Sequence, residues 1–132
     1  MSAQGRRCRR LLPALLLAAA LGCDEEDLDA HEEARALTGG DPTQGRVLIQ
    51  QYGCGSCHSI PDVPGARGTV GPALSAIPSR SYIGGVLQHT PDNLVRWIEN
   101  PKAVDEKTAM PNLGVTRNDA RDIAAYLYAH PE

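Results

Sequence analysis

One short cluster in the sequence contains side chains that could react or bind a metal. It has two cysteines three positions apart, with a histidine directly after the second. The cluster reads Cys-Gly-Ser-Cys-His, and its reactive residues are Cys54, Cys57 and His58. This spacing is typical of covalent haem attachment. Two thiols separated by two residues can reach the two vinyl groups on one side of a porphyrin, and the histidine can donate an imidazole nitrogen to the iron. The small Gly55 and Ser56 allow the backbone to lie close to the ring.

Three other kinds of site share a cysteine pair of this spacing. A redox-active dithiol of the thioredoxin type is expected within a βαβ unit, and the sequence pattern predicts none. A zinc site needs four ligands at closed spacing, whereas the remaining histidines, His31, His89 and His130, form no obvious pair. A structural disulfide suits an exported protein, but it does not require a histidine beside Cys57. Haem attachment therefore explains the whole cluster best.

Haem iron needs either a second axial ligand or an open position, and Met110 is the candidate ligand. It is the only methionine apart from the initiator, and it precedes Pro111 in a predicted loop between two helices. Proline favours an extended conformation at the residue before it. A lone methionine often fills a hydrophobic core, but the motif upstream favours iron ligation by His58 and Met110. This ligand pair raises the haem potential and closes the iron to external ligands, as suits an electron carrier.

The elements that must position these residues are predicted to be helices joined by long loops. Asp41 is the expected N-cap of a first helix that Gly53 ends, directly before the cysteine cluster. Thr90 opens a second helix, which ends before Pro101. Thr116 caps the last helix, whose buried stripe repeats at helical spacing.

The segments between these helices are rich in proline and glycine, apart from a short helix expected over residues 81–88. No alternating pattern predicts a strand, so the expected fold class is all-α, with four to five short helices. About 90 residues without a phenylalanine make a thin hydrophobic core. A bound macrocycle would supply further buried apolar area.

Residues 1–22 are predicted to form an export signal, because four arginines precede an apolar run from Leu11 to Leu21. The run has about half of the roughly 20 residues that a membrane-spanning helix needs. The segment Ala20-Leu21-Gly22-Cys23 resembles a bacterial lipobox, in which the cysteine becomes the lipidated first residue. Cys23 is therefore the expected lipidation site, and an ordinary signal peptidase site with an incidental thiol is the alternative.

Residues 23–40 are predicted to form an acidic flexible tether, followed by a monohaem domain over residues 41–132. Seven acidic residues lie between Asp24 and Glu33, a composition typical of a solvated spacer. A local helix through residues 32–37 is the alternative. Acidic and basic residues are nearly balanced after position 40, and no basic patch indicates nucleic acid as a partner.

From Gly45 to Tyr128 the chain resembles the class I bacterial cytochromes c. It particularly resembles the small domains associated with membrane respiratory complexes, including the cytochrome c domain fused to some oxidase second subunits. The resemblance covers nearly the whole domain and implies a cytochrome c fold around one covalent haem c, in which Gly45 allows the first and last helices to cross near Tyr126. The motifs that carry it, in chain order, are Tyr52-Gly53-Cys54-Gly55-Ser56-Cys57-His58, Gly71-Pro72-Ala73-Leu74, Thr90-Pro91-Asp92-Asn93-Leu94 with Trp97-Ile98, Met110-Pro111, and Asp122-Ile123-Ala124-Ala125-Tyr126-Leu127.

The resemblance also implies further site residues. Pro72 would offer its carbonyl to the second nitrogen of His58, which fixes the imidazole ring and raises its basicity. Arg80 and Trp97 match positions that contact the haem propionates, with Tyr82 as a further candidate. The alternatives are a solvated surface charge for Arg80 and ordinary core packing for Trp97.

The expected function is single-electron transfer between membrane-associated respiratory partners outside the cytoplasm, without enzymatic activity. A lipid anchor would keep the protein at high local concentration near those partners. One alternative is a fixed electron-transfer subunit of a larger quinol-oxidising, oxidase or dehydrogenase complex. Another is a haem sensor or enzyme whose sixth ligand leaves. The chain lacks the lysine-rich rim of mitochondrial cytochrome c, so docking through a basic ring is not expected.

Overall fold

The computed structural model describes residues 23–131, and these residues are mostly helical, as predicted. The predicted export signal of residues 1–22 lies outside the described residues, as does the side chain of Cys23. Within the described range, no helix combines the length and apolar character needed to cross a membrane. The elements in chain order are α1 (Cys23–Thr38), α2 (Pro42–Gln51), β1 (Tyr82–Ile83), β2 (Leu87–Gln88), α3 (Pro91–Glu99), α4 (Pro101–Val104) and α5 (Arg117–Ala129), with short 3₁₀ turns at Cys54–Ser56 and Ile77–Ser79.

Helices α2, α3 and α5 begin at the predicted caps. The side chains of Asp41, Thr90 and Thr116 each accept a hydrogen bond from a backbone N–H group in the first turn, at 2.8, 3.2 and 3.2 Å respectively. These N–H groups have no partner inside the helix, so each cap stabilises its helix by about 1 kcal/mol. The three predicted helix starts are therefore confirmed.

Helix α5 is central, because α1, α2 and α3 all pack against it. Helix α2 crosses it at Gly45, where an added Cβ would lie 2.9 Å from the Cβ of Tyr126, so the predicted close approach is present. The hydroxyl of Tyr52 donates a 2.6 Å hydrogen bond to the Asp119 carboxylate and ties the end of α2 to α5. Buried apolar side chains between these helices form the main core, among them Leu48, Ile49, Leu94, Val95, Trp97, Ile98, Ile123 and Leu127.

The acidic segment that was expected to be a flexible tether is helical from Cys23 to Thr38. Ala34, in its C-terminal part, is only 1 % exposed and packs against Ala125 and Ala129 of α5. Arg35 forms an ion pair with Asp41 at 3.3 Å, across the junction to α2. Alanine and glutamate have high helix propensity, and acidic residues are favourable at the positive N-terminal end of a helix. The tether prediction therefore fails where this small apolar face meets α5.

Residues 81–88, expected to form a short helix, form a two-stranded antiparallel hairpin instead. In this pair Ile83 lies opposite Leu87. The turn between the strands contains Gly84 and Gly85 at φ values of 56° and 75°. This left-handed region is accessible mainly to glycine and interrupts a right-handed helix. The two glycines therefore favour a turn over a continuous helix at this position.

Candidate functional site

A cavity of about 440 Å³ brings together the predicted chemical residues, and this volume lies within the roughly 300–1,000 Å³ of typical ligand sites. Its walls come from the end of α2 and the turn that follows, the loop before the hairpin, the hairpin itself, α3, the loop before α5, and α5. Most of the lining is apolar. The predicted contact residues all lie in these walls: Cys54, Cys57, His58, Pro72, Arg80, Trp97 and Met110.

The two cysteines come shortly after α2, are not joined in a disulfide, and are each half-buried. Burial raises the pKa of the Cys54 thiol above its ordinary value. The thiolate is the nucleophilic form of cysteine, so a buried thiol of raised pKa is a weak nucleophile at neutral pH. The Cys54 side chain forms part of the cavity wall.

The imidazole of His58 is held by a 2.7 Å hydrogen bond between Nδ1 and the carbonyl oxygen of Pro72, the contact that the resemblance implied. Because a carbonyl only accepts, Nδ1 carries the proton and the lone pair of Nε2 is available to a metal. Gly71 lies against the ring, and an added Cβ there would come within 2.7 Å of Nδ1. The N–H of Gly71 donates to the Cys57 carbonyl at 2.8 Å, which ties this loop to the cysteine cluster.

Met110 reaches the cavity from the loop between α4 and α5. This loop has no regular secondary structure, and hydrogen bonds from side chains hold it in place. Its backbone N–H donates to the hydroxyl of Thr108 at 3.2 Å. The ammonium group of Lys102 donates to the carbonyls of Thr108 and Glu106. The backbone N–H of Lys102 donates to the side-chain oxygen of Asn112 at 3.3 Å. These bonds hold the half-buried Met110 beside the main core.

Arg80 and Trp97 both line the cavity, and each also has other contacts. The guanidinium of Arg80 donates to the carbonyls of Ala73 and Ser75, the second at 2.9 Å. A guanidinium carries five N–H donors, so these two bonds leave capacity for an acidic ligand. Trp97 is 9 % exposed and its ring lies against Gly84, so it serves as a core residue and as cavity wall at once.

His89, which the sequence pattern offered only as a possible zinc ligand, lines the cavity. Its Nε2 is buried and has no hydrogen-bond partner among the described residues, whereas Nδ1 lies 3.5 Å from the hydroxyl of Tyr128. Burial, and then the charge of Arg80, lowers the pKa of His89 below its ordinary value. A buried polar atom without a partner is rare. No local sequence signal indicates this placement, because the hairpin and α5 create it together.

The residues present fit a haem on three observations: two thiols and a histidine in one wall, an apolar lining, and the unpartnered Nε2 of His89. In the part of the chain that the structure describes, no three histidine, cysteine or acidic side chains are grouped so as to hold a metal ion directly. Neither a protein-family model nor a solved structure matches the chain.

Proposed function

We propose that the protein is a single-electron carrier that holds one haem c in this cavity through thioether links to Cys54 and Cys57. His58 and Met110 would hold the iron. One observation carries the proposal: these four residues line the same apolar cavity, although Met110 comes from a separate loop far downstream in the chain.

The haem would supply the one-electron chemistry when bound, and the chain would set the conditions for it. The Pro72 carbonyl fixes the tautomer and orientation of His58 through the 2.7 Å bond. Ligation of the iron by a histidine and a methionine together would favour a high potential. Apolar side chains such as Ile49, Leu94 and Ile123 line the cavity, so a bound haem would lie in a largely apolar environment. The proposed function requires no proton transfer by a side chain.

The finer fold assignment, a cytochrome c fold, belongs to the same proposal. The crossing of α2 and α5 at Gly45 supports it, since the resemblance implies a crossing of the first and last helices of the domain. The position of the cysteine cluster directly after α2 also supports it. Helix α3 then closes the cavity with Leu94 and Trp97.

We further propose that the protein is exported and lipid-anchored at Cys23, and exchanges electrons with membrane-associated respiratory complexes. The basic and apolar pattern of residues 1–22 supports export. Helix α1 changes the expected tether, because 16 helical residues span about 24 Å and their C-terminal part is docked on α5. Helix α1 would therefore hold the haem domain near the membrane and limit the range of its orientations.

Replacing Cys23 with serine is expected to move most of the protein from the membrane fraction to the soluble fraction. Lipid chains contribute about 0.8 kcal/mol of membrane affinity per buried CH₂ group, and the variant cannot carry them. Immunoblots of fractionated cells measure the change. Cys8→Ser, within the predicted signal, is the matched control and should stay membrane-bound. Membrane association of Cys23→Ser would instead indicate an uncleaved anchor or a protein partner.

The proposed function is tested by a pyridine haemochrome spectrum of the purified protein together with a redox titration. The spectrum should show a haem with both vinyl groups saturated, at one haem per chain. The haem should remain with the polypeptide on a denaturing gel, and the titration should fit one one-electron step. Absence of covalent haem, or a two-electron step, would contradict the proposal.

A fixed subunit of a larger complex is the second candidate, and the cavity mouth supports it. Val70, Tyr82 and Leu113 line the cavity and are 81, 62 and 41 % exposed. Exposed apolar groups that cluster on a surface are typical of protein interfaces. Affinity purification from mild detergent distinguishes the two candidates, because a subunit retains partners at fixed stoichiometry and a free carrier elutes alone.

A further inference from the structure

His89 presents a buried nitrogen to the cavity, and the proposed function makes no use of it. Its backbone N–H donates to the Ser81 carbonyl at 2.9 Å, which fixes the chain beside the hairpin. Its ring lies 5.7 Å from the ring of Tyr128, measured between centroids, with Nδ1 on the hydroxyl side. Nε2 is the ring nitrogen that has no partner among residues 23–131.

The Tyr128 hydroxyl lies 3.5 Å from Nδ1 of His89 and can either donate to that nitrogen or accept from it. Burial raises the pKa of Tyr128, so the hydroxyl keeps its proton at neutral pH. When the hydroxyl donates to Nδ1, the single proton of neutral imidazole lies on Nε2. The cavity then contains a buried N–H donor, and a buried donor without an acceptor is unfavourable.

We propose that Nε2–H of His89 donates a hydrogen bond to one propionate carboxylate of the bound haem and thereby makes the redox potential depend on pH. The inference rests on the proposed function, since the acceptor belongs to the haem. The propionates are the acidic groups at the edge of a haem, and Arg80, whose charge acts on His89, lines the same cavity. A carboxylate beside both side chains would accept the hydrogen bond and balance the positive charge.

The direction of the pH dependence follows from charge. Reduction adds one electron near His89, so the pKa of His89 is higher in the reduced protein than in the oxidised protein. The potential is therefore highest in acid, falls as the pH rises between the two pKa values, and is constant above them. Arg80 and burial lower the pKa of His89, a carboxylate raises it, and Tyr128 on α5 is the other titratable group that faces the ring. We expect the transition to coincide with the titration of His89, in a series of potentials measured on both sides of neutral pH.

The experiment measures the midpoint potential of the purified holoprotein across this pH range. About a tenfold difference in proton affinity between the redox states is expected, which equals about 59 mV for a one-electron couple. His89→Gln keeps an N–H donor but does not titrate, and His89→Phe removes both properties. Each variant, once loaded with haem, should show a constant potential over the same series. His31→Gln, on α1 and outside the cavity, is the matched control and should behave as the wild type.

A pH dependence that persists in both His89 variants, or a constant potential in the wild type, would overturn the inference and leave the proposed function intact if haem is bound. A wild-type chain without covalent haem would overturn both. NMR titration of the His89 imidazole in oxidised and reduced wild-type protein needs no variant. Equal pKa values in the two redox states would also overturn the inference.

Discussion

Replacing His58 with alanine is expected to lower the yield of haem-loaded protein by at least about tenfold. Loss of a hydrogen-bond partner of a metal ligand costs about 10–100-fold in metal affinity, and this variant loses the ligand itself. The Pro72 carbonyl and Gly71, which hold the His58 ring in place, would then surround an empty position. The ratio of haem to protein, from a haemochrome assay on the purified variant, measures the effect.

His31→Ala is the matched control, because His31 lies on α1 near His130, with ring centroids 5.4 Å apart, and it does not line the cavity. Its haem content should equal that of the wild type. Normal haem loading of His58→Ala would defeat the assignment of His58 as an iron ligand. The cysteine pair would then need a different interpretation.

Replacing Met110 with alanine is expected to abolish the iron–sulfur charge-transfer band of the oxidised protein and to lower the midpoint potential by on the order of 0.1 V or more. Axial ligands alone vary haem potentials over about 0.8 V, and methionine lies towards the high end. The residue lies half-buried in the cavity wall, so the alanine variant also loses packing. Optical spectra and a redox titration measure both effects.

Met110→Leu separates ligation from packing, because leucine keeps the volume and removes the sulfur. It should lose the band and the high potential while keeping more of the stability than the alanine variant. Carbon monoxide should bind the reduced variants and not the reduced wild type. An unchanged spectrum in both variants would remove Met110 from the site. Binding of carbon monoxide to the reduced wild type would favour the sensor or enzyme alternative.

The helices around the cavity were predictable wherever their signals are local. A cap and the N–H group that it accepts from are two or three positions apart, so Asp41, Thr90 and Thr116 could be assigned from short windows of sequence. The crossing at Gly45 was also predictable, although through the family resemblance rather than from local pattern. Where the prediction depended on composition or on a weak helical pattern, the structure differs from it, as in residues 23–40 and 81–88.

Helix α1 shows why composition was insufficient there. Its acidic residues suggested a solvated spacer, but its stability depends on the fit of Ala34 against Ala125 and Ala129, about 90 positions later. Such a contact has no local signature, because the residues around Ala34 do not show that a partner helix lies beside it. The hairpin over residues 81–88 does have a local signal, because its two adjacent glycines favour a turn. The prediction of a helix there gave this signal too little weight.

The sequence by itself determined the reactive cluster and the helix starts, because each depends on bonds and contacts within a few residues. Cys54, Cys57 and His58 lie within one five-residue stretch of the chain, so no contact between distant segments is needed to bring them together. Only the tertiary structure decided which distant residues share a cavity with them. Met110 and His89 come from separate loops, and packing of α2, α3 and α5 against one another brings both to the cavity wall. Their roles therefore depend on side-chain contacts between distant segments, which local patterns do not encode.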